Sequence, residues 1–430
     1  TNSPAANSGS TTLAVDASAT ALTTDQRGEA RVQSIAVDMG AFESDFVPAA
    51  AEGVLTFDHG AAVWRIGMPT VGTNTITWTD ELQWNSALTW DVFMGDVDGN
   101  GFLDGIGINA NNQVFVVLND GAGNLTEVPM ASLHTDRTYS HYLGGDFDGD
   151  GRFDFLTQGQ EGLWFDRGWN GTAFETTFLG RWDPAGWDSF VAGDFNADGV
   201  DDIVGLKTNA AADGTTIAYG ISQTVTDVGQ RFDFRFAGRL GGTLADAGWH
   251  NVLVGDWNGD GRDDLAAQRG GGYFWYATST GPVAGTDIGA HTLELTPGSF
   301  FDPTLFTNDF LVGDMNADGR DDIVTHVTNS GGSFDDALVV GLSEGPGAVS
   351  MSTSRWGSLD KTINWGNSLL IDQNADGRLD LLTFNLSSNS ALVSQSSGSS
   401  LLAALDAGVI SGTALSNRIA GQRGMVHATA

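Results

Sequence analysis

The chain has 430 residues and a formal net charge of −35, from 54 Asp plus Glu against 19 Lys plus Arg, a balance that repels nucleic acid and anionic membrane surfaces. The absence of Cys excludes disulfides, thiolate chemistry and Cys-based zinc or iron–sulfur sites. A hydrophobic fraction of 41% with 13 Trp and 24 Phe suffices for a large core, so the acidity is expected to be local or neutralised rather than a sign of disorder.

No apolar run of about 18 residues offers a membrane span, so no membrane insertion is expected. The start, Thr1-Asn2-Ser3, has no charged-then-apolar leader and reads as a processed piece of a longer product. Residues 1–50 read as a separate N-terminal extension, with TDQRGEAR from Thr24 and VDMGAFE from Val37. These two segments resemble the closing part of right-handed parallel β-helix domains in large secreted bacterial proteins. The resemblance implies the stub of an upstream β-helix, joined to the rest of the chain through residues 46–51. The Ser/Thr/Ala-rich beginning has little to order it on its own, and neither has the polar tail 411–430. Both ends are therefore expected to pack on neighbouring copies by strand addition or head-to-tail contact.

Residues 53–88 contain VLTFDHGAAVWRIG and TITWTDELQW, which read as short strands of a unit lacking its opening strand. From there a single motif dominates: GDVDGNGFLD, GDFDGDGRFD, GDFNADGVDD, GDWNGDGRDD, GDMNADGRDD and the degenerate IDQNADGRLD. Their first aspartates are Asp96, Asp146, Asp194, Asp256, Asp314 and Asp372, at intervals of 50, 48, 62, 58 and 58 residues. A period of that size points to a propeller or solenoid. Each loop is entered and left by a short apolar run flanked by Gly, so it joins two strands; a third follows (Val114 to Leu118, Gly272 to Tyr276, Ala337 to Leu342) and then a polar Gly/Thr-rich fourth. Four strands per repeat make a propeller blade. Tyr139, Trp187, Trp249 and Trp365 recur seven positions before the first aspartate, with Trp90 one step out of register, and are expected to pack between blades.

The expected fold is an all-β propeller over residues 51–410, seven-bladed, with a six-bladed ring plus an appended hairpin as the competing count. The run Leu401 to Ile410 is expected to supply the missing strand of the first blade and so lock the ring, leaving no long free edge.

In each loop, side-chain oxygens at positions 1, 3, 5 and 9, a carbonyl at 7 and a Gly at 6, where the chain turns sharply, form a hard-oxygen ligand set that selects calcium. The side-chain ligands are expected to be Asp96, Asp98, Asn100 and Asp104; Asp146, Asp148, Asp150 and Asp154; Asp194, Asn196, Asp198 and Asp202; Asp256, Asn258, Asp260 and Asp264; Asp314, Asn316, Asp318 and Asp322; and Asp372, Asn374, Asp376 and Asp380. The carbonyls are those of Phe102, Arg152, Val200, Arg262, Arg320 and Arg378. Six structural Ca2+ ions, each adding two positive charges, would bring the formal charge from −35 to −23. An EF-hand begins with the same spacing but closes with Glu at position 12 between helices.

Loops and flanking strands together resemble the FG-GAP or VCBS repeats of integrin α-subunit propellers and of large bacterial surface proteins, over roughly residues 51 to 400. The resemblance implies seven blades and calcium in the six loops. That family includes lectins, adhesins, lyases and structural members, so function must come from the site.

No catalytic constellation stands out. The seven His show no metal-pair spacing, and Gly341-Leu342-Ser343-Glu344-Gly345 matches GxSxG but lacks the strand-to-helix context that motif needs. The expected function is non-enzymatic: an extracellular, cell-surface structural or adhesive protein, the repeating subunit of a fibre or coat, with a surface glycan or protein as further ligand. One alternative is a carbohydrate-binding propeller stacking sugars on Trp164, Trp275 and Trp356; a second is a propeller-fold polysaccharide lyase or hydrolase.

Overall fold

In a computed structural model, the described residues are 53–421, apart from segments 71–72, 130–138, 160–162, 171–173, 182–188, 210–213, 223–231, 242–249, 270–272, 280–295, 301–305, 328–336, 345–349 and 411–418 and single residues 74, 361, 364 and 375. The extension 1–50 lies outside them. Every element among them is a strand, and none is a helix long and apolar enough to cross a membrane.

The described strands assemble as seven four-stranded antiparallel sheets, the architecture of a β-propeller. Six sheets run in simple chain order, each strand pairing antiparallel with the next one in sequence, which keeps the chain closed by each pairing short compared with any crossover. In these six the opening strand is Trp90–Gly95, Tyr139–Gly145, Ser189–Gly193, His250–Gly255, Phe306–Gly313 or Trp365–Ile371. The acidic loop comes next, and the second strand starts on its ninth residue, as in Asp104–Asn109 and Asp322–Val327. Register holds this joint: Gly95 lies opposite Asp104, Gly313 opposite Asp322 and Ile371 opposite Asp380.

The seventh sheet differs. Val54–Asp58, Val63–Pro69 and Ile76–Gln83 form its three outer strands, a full sheet rather than an appended hairpin, and its opening strand comes from the far end of the chain, where Ile419–Gly421 pairs with Thr56 to Asp58. The expectation that Leu401 to Ile410 closes the ring is therefore corrected. Leu405–Val409 pairs instead with Ser390–Ser394 as the fourth strand of the last repeat, the nearest edge still open to it. The sheets also continue past residue 410, into what reads in sequence as a polar tail.

Opening strands of successive sheets lie side by side, and Trp365–Ile371 neighbours Ile419–Gly421, so the last sheet meets the first. One core cluster spans that joint, packing Val54, Ile76 and Trp78 against Leu369, Ile371, Phe384 and Ala407. Another joins Phe57, Trp64 and Trp84 to Trp90, Val92 and Val117. Trp90 is 7% exposed and stacks within 4.3 Å of Trp84, which places it between sheets. Trp365 packs against the cluster of the last two sheets and donates its Nε1–H to Asp360 O at 2.8 Å.

Tryptophans of one sheet fill space left by glycines of the next. A Cβ at Gly105 would sit 2.2 Å from Trp64, which is fully buried. Gly105→Ala is expected to destabilise the protein by about 3 kcal/mol through overpacking, read as a fall in denaturant midpoint; a change under about 0.5 kcal/mol would contradict this packing.

Candidate functional site

The six acidic loops share one hydrogen-bond pattern. The position-1 carboxylate folds back over its own turn, so Asp96 Oδ2 accepts from Gly101 N at 2.7 Å, Asp256 Oδ2 from Gly261 N at 2.8 Å and Asp372 Oδ2 from Gly377 N at 3.0 Å. The position-5 side chain accepts from the position-7 amide, as Asn100 Oδ1 does from Phe102 N at 2.8 Å and Asp376 Oδ1 from Arg378 N at 3.0 Å. Short Asx-type turns of this kind are what Asp, Asn and Gly favour.

Position 6 is Gly in all six loops with φ between 80° and 87°, and no atom would crowd a Cβ there, so the left-handed backbone rather than lack of space selects Gly. Position 4 is left-handed as well in the five loops where it is described, which the sequence pattern does not advertise: Gly99 and Gly259 sit at φ 78° and 75°, whereas Ala197 and Ala317 are held at 59°. Alanine in that region costs about 1 kcal/mol, so Ala317→Gly is expected to raise stability by up to that amount in chemical denaturation; a loss would contradict the strain.

Position 9 is the buried member. Asp104 is fully buried, accepting on Oδ1 from Asn119 N at 2.7 Å and on Oδ2 from Val97 N at 2.9 Å. Asp322 accepts from Ser343 N at 2.9 Å and Met315 N at 3.0 Å. Burial, aided in Asp104 by the charge of Asp98, raises the Asp104 carboxyl to about 7. Burial likewise raises Asp264 to about 8, with Asp260, Asp256 and Asp263 adding to it, and Asp322 and Asp380 to about 7. Burial beside further acids disfavours the ionised form of these carboxyls, and a dication bound there would favour it.

Asp96, Asp98 and Asp104 each bring one carboxylate oxygen within 4.8 Å of the others, and so do Asp146, Asp148 and Asp154. In the loop of Asp256, Asp264 Oδ2 and Asn258 Oδ1 are buried acceptors with no hydrogen-bond donor, and Asp380 Oδ2 is another in the loop of Asp372. Such acceptors fit a hard cation. The arginines at position 7 pair with the position-5 carboxylates of their own loops: Arg262 with Asp260 at 2.9 Å, and Arg320 and Arg378 with Asp318 and Asp376. The Nε atoms of Arg320 and Arg378 donate to Ser343 O at 3.1 Å and Ser396 O at 3.2 Å, strapping the turn to the third strand.

A feature that the spacing of the motif does not reveal links the loops. The position-8 amide donates to the position-1 carbonyl of the preceding loop in five successive pairs: Phe153 to Asp96 (2.7 Å), Asp201 to Asp146 (2.7 Å), Asp263 to Asp194 (2.9 Å), Asp321 to Asp256 (2.9 Å) and Leu379 to Asp314 (3.1 Å). Where position 8 is Asp, its carboxylate also accepts the position-1 amide, at 2.8 Å for Asp146, 2.9 Å for Asp194 and 3.0 Å for Asp256. The glycine before each position 1 exists for this contact. A Cβ at Gly145 or Gly193 would lie 2.3 or 2.5 Å from the Asp201 or Asp263 carboxylate, and one at Gly95 or Gly313 would lie 2.0 or 2.2 Å from Phe153 or Leu379. The sixth loop has Ile371 there because no acidic loop comes after it; Ile371 packs against the first sheet instead.

The remaining candidate residues are placed by the same framework. Ser343 is 2% exposed, and its Oγ donates to Asp321 O at 2.5 Å, so the GxSxG match is part of the loop's scaffold. Trp356 is corrected as a sugar platform: it is 4% exposed within the core of the last two sheets, because its strand turns that face toward Leu338 and Leu401 rather than solvent. The side chains of Trp164 and Trp275 lie outside the described residues. His141 is half-buried, hydrogen-bonded to Gln158 Oε1 at 2.8 Å and set edge-on to Phe190, and burial lowers its pKa.

Among solved structures, the chain is similar to one in the yeast heterotrimeric Nup82-Nup159-Nup116 nucleoporin complex, at 10% identity and TM-score 0.44 over 80% of this chain and 98% of that one. It is also similar to the Dos1 propeller, at 14% identity and TM-score 0.36 over 81% and 83%. Comparison with curated proteins gives no match. Residues 96–157, which hold the first two loops, three strands of the first loop's sheet and the opening strand of the next, match the FG-GAP-like repeat family. The chain is thus a β-propeller that carries an FG-GAP-like repeat at residues 96–157, and the loop motif of that repeat recurs six times in its sequence.

Proposed function

We propose that the chain is a seven-bladed, calcium-stabilised disc serving as an extracellular structural or adhesive surface protein, assembled into a fibre or coat. The observation that carries the calcium part is the set of buried acceptors without donors, Asp264 Oδ2, Asn258 Oδ1 and Asp380 Oδ2, inside loops that each bring two further carboxylates, Asp256 and Asp260 or Asp372 and Asp376. Calcium would be held by positions 1, 3, 5 and 9 and the position-7 carbonyl, and supplies there only charge neutralisation and a fixed loop geometry.

Calcium at roughly millimolar affinity suits a location outside the cell. Ring closure brings the strand at Val54–Asp58 and the strand at Ile419–Gly421 together in one sheet, so the chain enters and leaves the propeller at one blade. That arrangement supports a unit joined to its neighbours at a single point of its rim. Electron microscopy and sedimentation of native material in calcium, and again in chelator, test the reading. Polymers that soften or dissociate on chelation are expected; a discrete monomer under both conditions would overturn the assembly part.

A further inference from the structure

We propose that Asp201, Asp263 and Asp321 are positioning residues that couple cation binding in each loop to binding in the loop before it. The inference rests on the calcium reading above and concerns residues outside its ligand set. Each of the three lies next to a position-9 ligand of its own loop, Asp202, Asp264 or Asp322, and clasps the position-1 ligand of the preceding loop through two hydrogen bonds. Asp321 shows the geometry: its amide donates to Asp256 O at 2.9 Å and its Oδ2 accepts from Asp256 N at 3.0 Å.

A cation drawn in by Asp314, Asp318 and Asp322 holds residues 321–322 in place, and the clasp passes that order to Asp256. Ordering at one site reaches the next because a single residue makes both connections, one hydrogen bond from its amide and one to its short carboxylate side chain. The last clasp, at Leu379, keeps only the backbone hydrogen bond, so coupling is weaker at that end of the series.

Trp257 provides a local reporter. It occupies position 2 of the loop of Asp256 and is fully buried, whereas the other five loops have Val97, Phe147, Phe195, Met315 and Gln373 there. Terbium takes calcium's oxygen ligands and luminesces when excited through a nearby indole, so the part of the signal lost in Trp257→Phe reports occupancy of this loop. Asp318→Ala, which weakens the next loop without touching the clasp, is expected to raise the terbium midpoint of the Trp257-dependent signal about five-fold. In an Asp321→Ala background, Asp318→Ala should add no further shift. Asp376→Ala, two loops away, should leave the midpoint where it was.

Asp321→Asn retains an acceptor and is expected to keep part of the coupling, which guards against a clasp variant that simply misfolds. A saturable Trp257-dependent signal whose midpoint ignores Asp318→Ala would overturn the coupling while leaving the cation sites standing. Absence of any saturable signal in the unaltered chain would remove the sites themselves, and the coupling with them.

Discussion

Raising free calcium from a chelated level to about 10 mM is expected to stabilise the propeller by about 8 kcal/mol. A site with a Kd of about 1 mM, within the range of extracellular modules, adds about 1.4 kcal/mol at tenfold excess of ligand, and the chain has six such loops. For an ordered region of this size the gain corresponds to a rise of about 10 °C in Tm. Positive coupling between loops would steepen the calcium dependence without changing its sign. Thermal unfolding followed by circular dichroism in chelator and in calcium measures it, and a difference below about 2 °C would defeat the structural-calcium reading.

The second large effect is a reversal of pH dependence. Without cation, Asp104, Asp322 and Asp380 are raised from 3.8 to about 7 and Asp264 to about 8, chiefly by burial. These groups hold their protons in the folded state over a range where the unfolded chain has lost them. Stability therefore falls as pH rises from about 4 toward 7, by at least about 1.4 kcal/mol per pH unit, the contribution of one such group. A dication favours the ionised form, so the calcium-loaded protein should lose this slope and bind calcium more tightly as pH rises. Chelated protein more stable at pH 8 than at pH 5 would contradict the burial of these carboxylates.

Much of this was legible in the residues. The recurring Asp-x-Asp/Asn-x-Asp/Asn-Gly-x-x-Asp stands between two strands because position 9 is both a loop ligand and the first residue of the second strand, as at Asp104 and Asp322. Strand pairs of short local span, such as Val114–Asn119 after Asp104–Asn109, come from apolar runs broken by Gly and Asn. Position 8 was not legible. Asp201, Asp263 and Asp321 look like extra acidity beside a ligand, and their clasp is made with a residue 55 to 69 positions earlier. One signal was available: position 8 is Asp only in loops whose predecessor is preceded by Gly, and the single loop without that Gly is the one with no successor. Trp356 misled for a related reason, since an aromatic on an outer strand has the same local pattern whether its face meets solvent or the next sheet.

Local chemistry thus set the loops, the strands they join and the repeat, because ligands, turn glycines and apolar runs act over fewer than ten residues. Ring closure was set at longer range. Both Leu405–Val409 and Ile419–Gly421 are short segments able to extend an open edge, and the first is captured by the hairpin geometry of its own repeat. The closing pair, three residues against Thr56 to Asp58, carries too little sequence signal to be read in isolation. The packing of Val54 and Trp78 against Leu369 and Phe384 holds the first and last sheets together, so the pairing adds hydrogen bonds at little further cost in chain entropy.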